Sequence, residues 1–397
     1  MRTKSSTAPR LTVSSRPALK FLEFFAGGGM VRAGLAEGWR CLLANDFDFK
    51  KAASYRLNWP CENELRVGDV RQISASSVPT ADMAWASFPC QDLSLAGGGA
   101  GLKGERSGTF YPFWEIMNGL VAERRAPTVI ALENVVGTLT SHSGKDFAAV
   151  CASFARSGYR FGAVVIDAAL FVPQSRPRLF VVGVRADALS HHALAPLISP
   201  EPVGPFHSAS LRRAHSLLRG DAKQAWVWWN LPVPPRRRTT FADVLQDSPE
   251  GVEWHTPSET AALLEMMSPV NLAKVEAAKR SGRVMVGGIY KRTRREPSGV
   301  KQQRAEVRFD DIAGCLRTPG GGSSRQVILV VDGRRVRSRL ISARETARLM
   351  GLPDAYRLPA RYNEAYHLTG DGVVVPVVRH LAEHLLEPLV GTAAARP

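Results

Sequence analysis

The sequence contains no apolar run of about 18 residues, so it holds no segment long enough to span a bilayer as a helix. Acidic residues are in deficit: 36 Asp and Glu face 52 Lys and Arg, a formal charge of +16. Such an excess favours a polyanionic partner, because each neutralised phosphate releases counterions. By itself it does not separate DNA from RNA, or either from an anionic membrane surface. Cysteine is scarce. Cys41, Cys61, Cys90, Cys151 and Cys315 form no CxxC pair and no zinc-like Cys/His spacing, so no metal site is expected and a reducing cytosol fits. The lysine-bearing phosphate loop GxxxxGK[ST] is absent, which favours a nucleoside ligand without a triphosphate. No internal repeat is found. Met1 to Pro17 is rich in Ser, Thr and Arg but has no apolar core, and reads as a flexible basic tail rather than a secretory signal.

What is present is ample core material: 45% of 397 residues are hydrophobic, enough for two or three domains. Leu19 to Phe25 reads as a buried strand. Ala26-Gly27-Gly28-Gly29 follows, and then helical spacing from Met30 to Ala36. Strand, glycine turn and helix open a nucleotide-binding α/β sheet, although a plain tight turn gives the same glycines. The second strand ends in Asn45-Asp46-Phe47-Asp48. Asp46 is placed for ribose hydroxyls and Phe47 for stacking on a base, while Asp48 suits the cap of a helix from Phe49. A third acidic strand end follows at Val67-Gly68-Asp69-Val70. Gly, Asp and Asp on successive strand ends predict an adenosyl-type ligand along one sheet edge.

A fourth strand, Asp82 to Ala86, runs into Ser87-Phe88-Pro89-Cys90-Gln91-Asp92-Leu93-Ser94. Pro89 has no N–H to give a ladder and ends the strand. Cys90 then sits where α/β folds place reacting groups, although a lone cysteine is more often a small buried thiol. The glycine-rich stretch to Arg106 reads as a loop able to close over a substrate, or as a linker. Thr128 to Leu132 is a further buried strand, with Glu133 at its end. Gln174, Arg176 and Arg178 precede and enter another. Two arginines at i and i+2 share a face of extended backbone; on the face of Cys90 they would grip a phosphate or base edge, and otherwise they are a solvated pair.

Composition shifts near Arg185. Residues 186 to 339 carry 24 Lys and Arg against 15 Asp and Glu. Trp226, Trp228 and Trp229 lie close in sequence to Arg236-Arg237-Arg238, a pairing suited to nucleic acid, although tryptophans are more often core. Helical periodicity returns at Ser342 to Met350, where Ser342 and Glu345 form a capping box.

Together these motifs resemble the DNA cytosine-5 methyltransferases over nearly the full catalytic length. The resemblance implies a Rossmann-like S-adenosylmethionine methyltransferase sheet of α/β class with an inserted, mostly irregular or β, target-recognition domain. The divisions expected are a tail over 1–18, a catalytic domain over 19–185, the insert over 186–339, and C-terminal helices over 340–397 that complete the catalytic domain. It implies S-adenosylmethionine as cofactor, leaving as S-adenosylhomocysteine, held by Phe25, Ala26, Gly27, Gly29, Asp46, Phe47, Asp69, Val70, Phe88, Pro89, Asp371, Gly372 and Val373. Cys90 is implied as the nucleophile attacking C6 of a flipped cytosine, with Glu133 at N3 and Gln91, Arg176 and Arg178 around them. Candidate DNA contacts are Ser94, Arg106, Lys291, Arg292, Arg294, Arg295 and Arg325.

The implied partner is double-stranded DNA bound by a monomer, with a cognate restriction endonuclease as a further candidate. The implied setting is a bacterial or phage-encoded enzyme in the cytoplasm, at the nucleoid. Two rivals use the same fold: a transfer-RNA cytosine-5 methyltransferase and a catalytically inactive DNA-binding regulator. The large basic insert favours DNA over transfer RNA, and the intact Cys90, Gln91, Glu133, Arg176 and Arg178 argue against inactivity. Three departures from the family pattern stand out: Asp371 where Asn is common, Cys315-Leu316 where a Thr-Leu pair is usual, and Asp46 in place of the commoner Glu.

Overall fold

The computed structural model describes residues 18–60, 63–89, 107–188, 194–295, 299, 301–317 and 325–394. The chain builds a seven-stranded sheet from β1 (Leu19–Phe24), β2 (Trp39–Asp46), β3 (Leu65–Val67), β4 (Met83–Ala86), β5 (Val129–Val135), β6 (Tyr159–Asp167) and β7 (Pro177–Arg185). Their order is β3-β2-β1-β4-β5-β7-β6. The first five strands are mutually parallel, and β7 runs antiparallel to both β5 and β6. The chain first builds outward from β1 to β3, then returns to lay β4 on the other side of β1. That reversal leaves the exits of β1 and β4 side by side, where open α/β sheets bind their ligands.

Helices cover both faces. Beyond the glycine turn, α1 (Met30–Leu35) and α2 (Phe49–Asn58) lie on one side. On the other, α3 (Phe110–Ala122) and α4 (Lys145–Arg156) bury Phe113, Met117, Phe147 and Phe154. Asp48 caps α2, accepting from the amides of Lys50 and Lys51. The Val375–Leu381 helix packs on α1 so closely that a Cβ on Gly34 would stand 2.4 Å from Val378.

Residues 194 to 246 extend the first core instead of joining a separate unit. Val227 N donates to Phe161 O at 2.7 Å, and the Trp229 indole donates to Val182 O at 3.0 Å. Trp226, Trp228 and Trp229 are all buried, which decides between the two readings of them: they are core, not nucleic-acid stacking groups. The insert also holds more helix than its composition suggested, including Ala209–Ser216, Pro257–Glu265 and Pro269–Lys279. After a short pair, β8 (Ile198–Ser199) with β9 (Trp228–Trp229), come β10 (Met285–Arg295), β11 (Lys301–Arg308), β12 (Val327–Asp332) and β13 (Arg335–Leu340). They form an antiparallel sheet in the order β11-β10-β12-β13.

Candidate active site

The site begins where β1 stops. Phe25 and Gly27 take positive φ, 60° and 55°, which turns the chain sharply. A Cβ on Gly27 would meet nothing within 4 Å, whereas one on Gly28 would strike the Tyr356 hydroxyl at 2.4 Å. The turn is therefore open on one side and held on the other, where Tyr356 donates to Gly28 O at 2.8 Å. Asp46, at the end of β2, is buried and accepts from Gly27 N at 2.7 Å and from Asp48 N at 2.8 Å. Burial pushes its carboxyl above the usual range, against the pull of Lys51 and those two amides. Phe47 beside it is 69% exposed, a bare aromatic face at the sheet edge.

Asp69 accepts from Arg71 N at 2.9 Å, capping the turn after β3. Val70 is buried and lines a cleft of about 460 Å³ with Ile73, Ala75, Pro112 and Ile116. The ends of β2 and β3 thus carry a buried carboxylate, an exposed aromatic ring and this cleft. At the end of the Tyr362–Asp371 helix, Asp371 pairs with Lys51, Gly372 packs on Met30, and Val373 is buried.

Next to β1, β4 ends in Ser87-Phe88-Pro89. Phe88 is buried against Phe110, and its carbonyl accepts from the Asn134 amide at 3.2 Å. Cys90, Gln91, Ser94 and Arg106 lie outside the described residues. One strand further, Glu133 is buried at the end of β5, and Arg178 Nε lies 3.2 Å from its Oε1. Val135 and Arg178 are register partners between β5 and β7, which brings this guanidinium to the carboxylate.

The two arginines keep different partners, although both reach the Cys315 thiol. Arg176, fully buried ahead of β7, donates to Leu316 O at 3.0 Å and to Gly370 O and Gly372 O at 2.8 Å each. It therefore ties the insert and the last turns of the chain to the sheet. Pro177 starts β7 between the two, so Arg176 belongs to the preceding loop and escapes the strand alternation. Buried Gln174 does similar work, donating to Leu349 O and accepting from Leu316 N. Cys315 lies 3.4 Å from an Arg176 nitrogen. Burial would raise its thiol, but Arg176 and Arg178 together hold it below its ordinary value.

Among the expected DNA contacts, Lys291, Arg292, Arg294 and Arg295 lie on β10. Arg325 is turned onto the Tyr362–Asp371 helix, where it bonds Asn363 and covers the Tyr362 ring.

Glu23, which the motif reading passed over, is buried on β1 two residues before the turn. Among the described residues neither of its oxygens has a partner at full hydrogen-bond geometry, although the nearby Val31 amide favours its charged form. Burial pushes its carboxyl up to about 8 despite nearby Arg32, and Asp46 adds to the rise. The signal in the sequence was an acidic residue inside an otherwise apolar strand.

Comparison with known proteins agrees with this geometry. The sequence profile of the C-5 cytosine-specific DNA methylases matches residues 19–387. The chain is 25% identical to the type II methyltransferase M.HaeII of Haemophilus aegyptius, over 93% of each chain. It is 25% identical to M.HhaI of Haemophilus parahaemolyticus, over 92% of this chain and 94% of that one. In fold it is similar to the Dnmt2 methyltransferase of S. pombe, at a TM-score of 0.55 and 17% identity, covering 94% of this chain and 99% of that one. With a profile match across nearly its whole length, on a sheet edge carrying a glycine turn, two strand-end carboxylates and a proline exit, the chain belongs to the C-5 cytosine-specific DNA methylase family.

Proposed function

We propose that this enzyme takes the methyl group of S-adenosylmethionine and places it on C5 of a cytosine flipped out of a specific duplex DNA sequence. The observation that carries the mechanism is the Glu133–Arg178 pair, buried one strand from the Pro89 exit that leads into Cys90. The bound cofactor supplies an electrophilic methyl group. The turn at Phe25 to Gly29 would receive its methionine end, Asp46 would accept from ribose hydroxyls, Phe47 would stack on the adenine, and Asp69 and Val70 would meet the adenine edge. Phe88 and Pro89, with Asp371, Gly372 and Val373, close the remaining sides.

C5 of cytosine is a weak nucleophile. Addition of the Cys90 thiolate to C6 moves electron density toward N3 and C5. Glu133, when it carries a proton, would donate a hydrogen bond at N3 and offset the charge developing there, with Arg178 holding the side chain in place. After C5 is methylated, its proton leaves to a base, the C6–S bond breaks, and Cys90 is released as thiolate. Extruding the base costs a few kcal/mol, and the basic insert would offset this by gripping the backbone. Arg176 acts in this reading as a positioning residue. A cognate restriction endonuclease is the partner suggested by the type II relatives.

The test is transfer of labelled methyl to duplex DNA and to transfer RNA by the wild type and by Cys90→Ser. Labelling of DNA by the wild type alone, with cofactor binding retained in the variant, supports the reading. Full turnover by Cys90→Ser, or labelling of transfer RNA only, overturns it.

A further inference from the structure

We infer that one face of the β10–β11 ribbon, the face bearing Arg292, Gln302 and Arg304, reads base edges in the DNA major groove, while its opposite face does not. The inference rests on the DNA-methyltransferase reading above. β10 pairs with β12 only from Met285 to Ile289. Beyond that point, from Tyr290 to Arg295, its partner among the described residues is β11, in a register ending at Arg295 opposite Lys301. Among the described residues the outer part is thus a two-stranded ribbon. An antiparallel ribbon fits a major groove about 12 Å wide.

Alternation along the strands gives the ribbon two unlike faces. At its base, Met285, Ile289, Ala305 and Val307 bury themselves with Leu263 and Val275 of the insert helices. Continued outward, that face carries Lys291, Thr293, Arg295, Lys301 and Gln303, all exposed. The other face starts from Val286, which joins the core of the catalytic sheet together with Ala313 and Leu316. Tyr290 comes next, its hydroxyl 2.1 Å from where a Cβ on Gly314 would stand. Gly314 adjoins Cys315, which touches Arg176. Arg292, Gln302 and Arg304 extend this second face, so it continues the wall of the active site.

The chemistry of the two faces also differs. Arginine and glutamine can each make paired hydrogen bonds, to guanine and adenine edges respectively, whereas lysine is a point charge suited to phosphate. Arg292 is already oriented, lying 5.9 Å from the Tyr290 ring centroid and 3.4 Å from a Glu306 oxygen. A guanidinium fixed in this way loses less freedom on meeting a base than a solvated one.

The test compares three full-length variants on a randomised duplex library, read by bisulfite sequencing, with binding measured at several salt concentrations. Arg292→Ala/Gln302→Ala is expected to relax the preferred sequence at one or two positions by about tenfold. Arg292→Lys, which keeps the charge and loses the fork, should relax one of the same positions. Lys291→Ala/Lys301→Ala should keep the preference, bind all sequences more weakly and flatten the salt dependence. An unchanged preference in the first variant, or a relaxed one in the third, overturns the inference. A wild type that methylates no duplex overturns the functional reading beneath it instead.

Discussion

Lys51 Nζ donates to Asp371 Oδ2 at 2.7 Å, joining the start of α2 to the end of the Tyr362–Asp371 helix across 320 positions of sequence. Burial works against the lysine's charge, but Asp371 and Asp46 hold its ammonium above the ordinary value. The lysine thus accounts for how a carboxylate is tolerated where the family commonly has Asn: Lys51 neutralises it. We predict that Lys51→Ala raises KM for the cofactor by about fivefold, with kcat little changed, since a half-exposed pair contributes on the order of 1 kcal/mol. Asp371→Asn should have a small effect alone and should restore KM in the Lys51→Ala background. Steady-state kinetics of the four proteins check this, and a double variant no better than Lys51→Ala would refute the compensation.

A second prediction concerns Glu23. Its folded pKa of about 8 lies above the ordinary carboxyl value of 4.5, so between the two the folded state binds more protons than the unfolded chain. Stability from this group is therefore greatest below about pH 4.5 and declines as pH rises toward 8, by at most about 1.4 kcal/mol per pH unit. Glu23→Gln should flatten that decline. Denaturant unfolding of both proteins from pH 5 to 9 measures it, and parallel curves would show that Glu23 does not titrate in this range.

For Glu133 the expected change is in turnover. Glu133→Gln removes the acid and most of the attraction of Arg178, and kcat should fall by about 100-fold or more while the cofactor dissociation constant holds. Single-turnover methylation together with equilibrium cofactor binding separates the two effects. A variant that weakens binding and leaves the chemical step at its normal rate would move Glu133 out of the mechanism.

Arg339 and Glu345 form a fully buried pair, with nitrogen to oxygen distances of 2.6 and 2.7 Å. Glu345 also accepts from Ser342 N and Gln246 N. Glu345→Ala should cost about 3–5 kcal/mol, because it strands a buried guanidinium. The double change Arg339→Met/Glu345→Leu should recover only part, since the two amides still lack an acceptor. Guanidinium midpoints decide this, and a single variant as stable as the wild type would contradict it.

The sequence made some of this legible, for identifiable reasons. Apolar runs mark the strands, Phe21-Leu22 in β1, Cys41 to Ala44 in β2, Met83 to Ala86 in β4 and Val129 to Leu132 in β5, as suits parallel strands covered on both faces, and the strand ends carry the glycine turn, Asp46, Pro89 and Glu133 within a few residues of the pattern. Asp48 as a cap and Ser342 with Glu345 as a capping box are local devices and read locally. What depends on distant partners did not show. Nothing near β7 says that it inserts between β5 and β6, and so nothing predicts that Arg178 meets Glu133 while Arg176 turns to Gly370 and Leu316. The tryptophans of 226–229 looked like nucleic-acid platforms because only the fold supplies the strand they cover. The Lys51–Asp371 pair bridges two motifs that the sequence read separately.

The hydroxyl of Tyr356 on the Gly28 carbonyl spans 328 positions, and that distance is also an interval of time. A ribosome adding about 5–20 residues per second delivers the glycine turn tens of seconds before the residue that braces it. Through that interval the nascent chain carries the first strands of the sheet without the turn's far wall, and Arg176 waits a further 194 positions for Gly370 and 196 for Gly372. Competence to methylate therefore arrives late in synthesis and all together, once the returning segment reaches the first turn that was made.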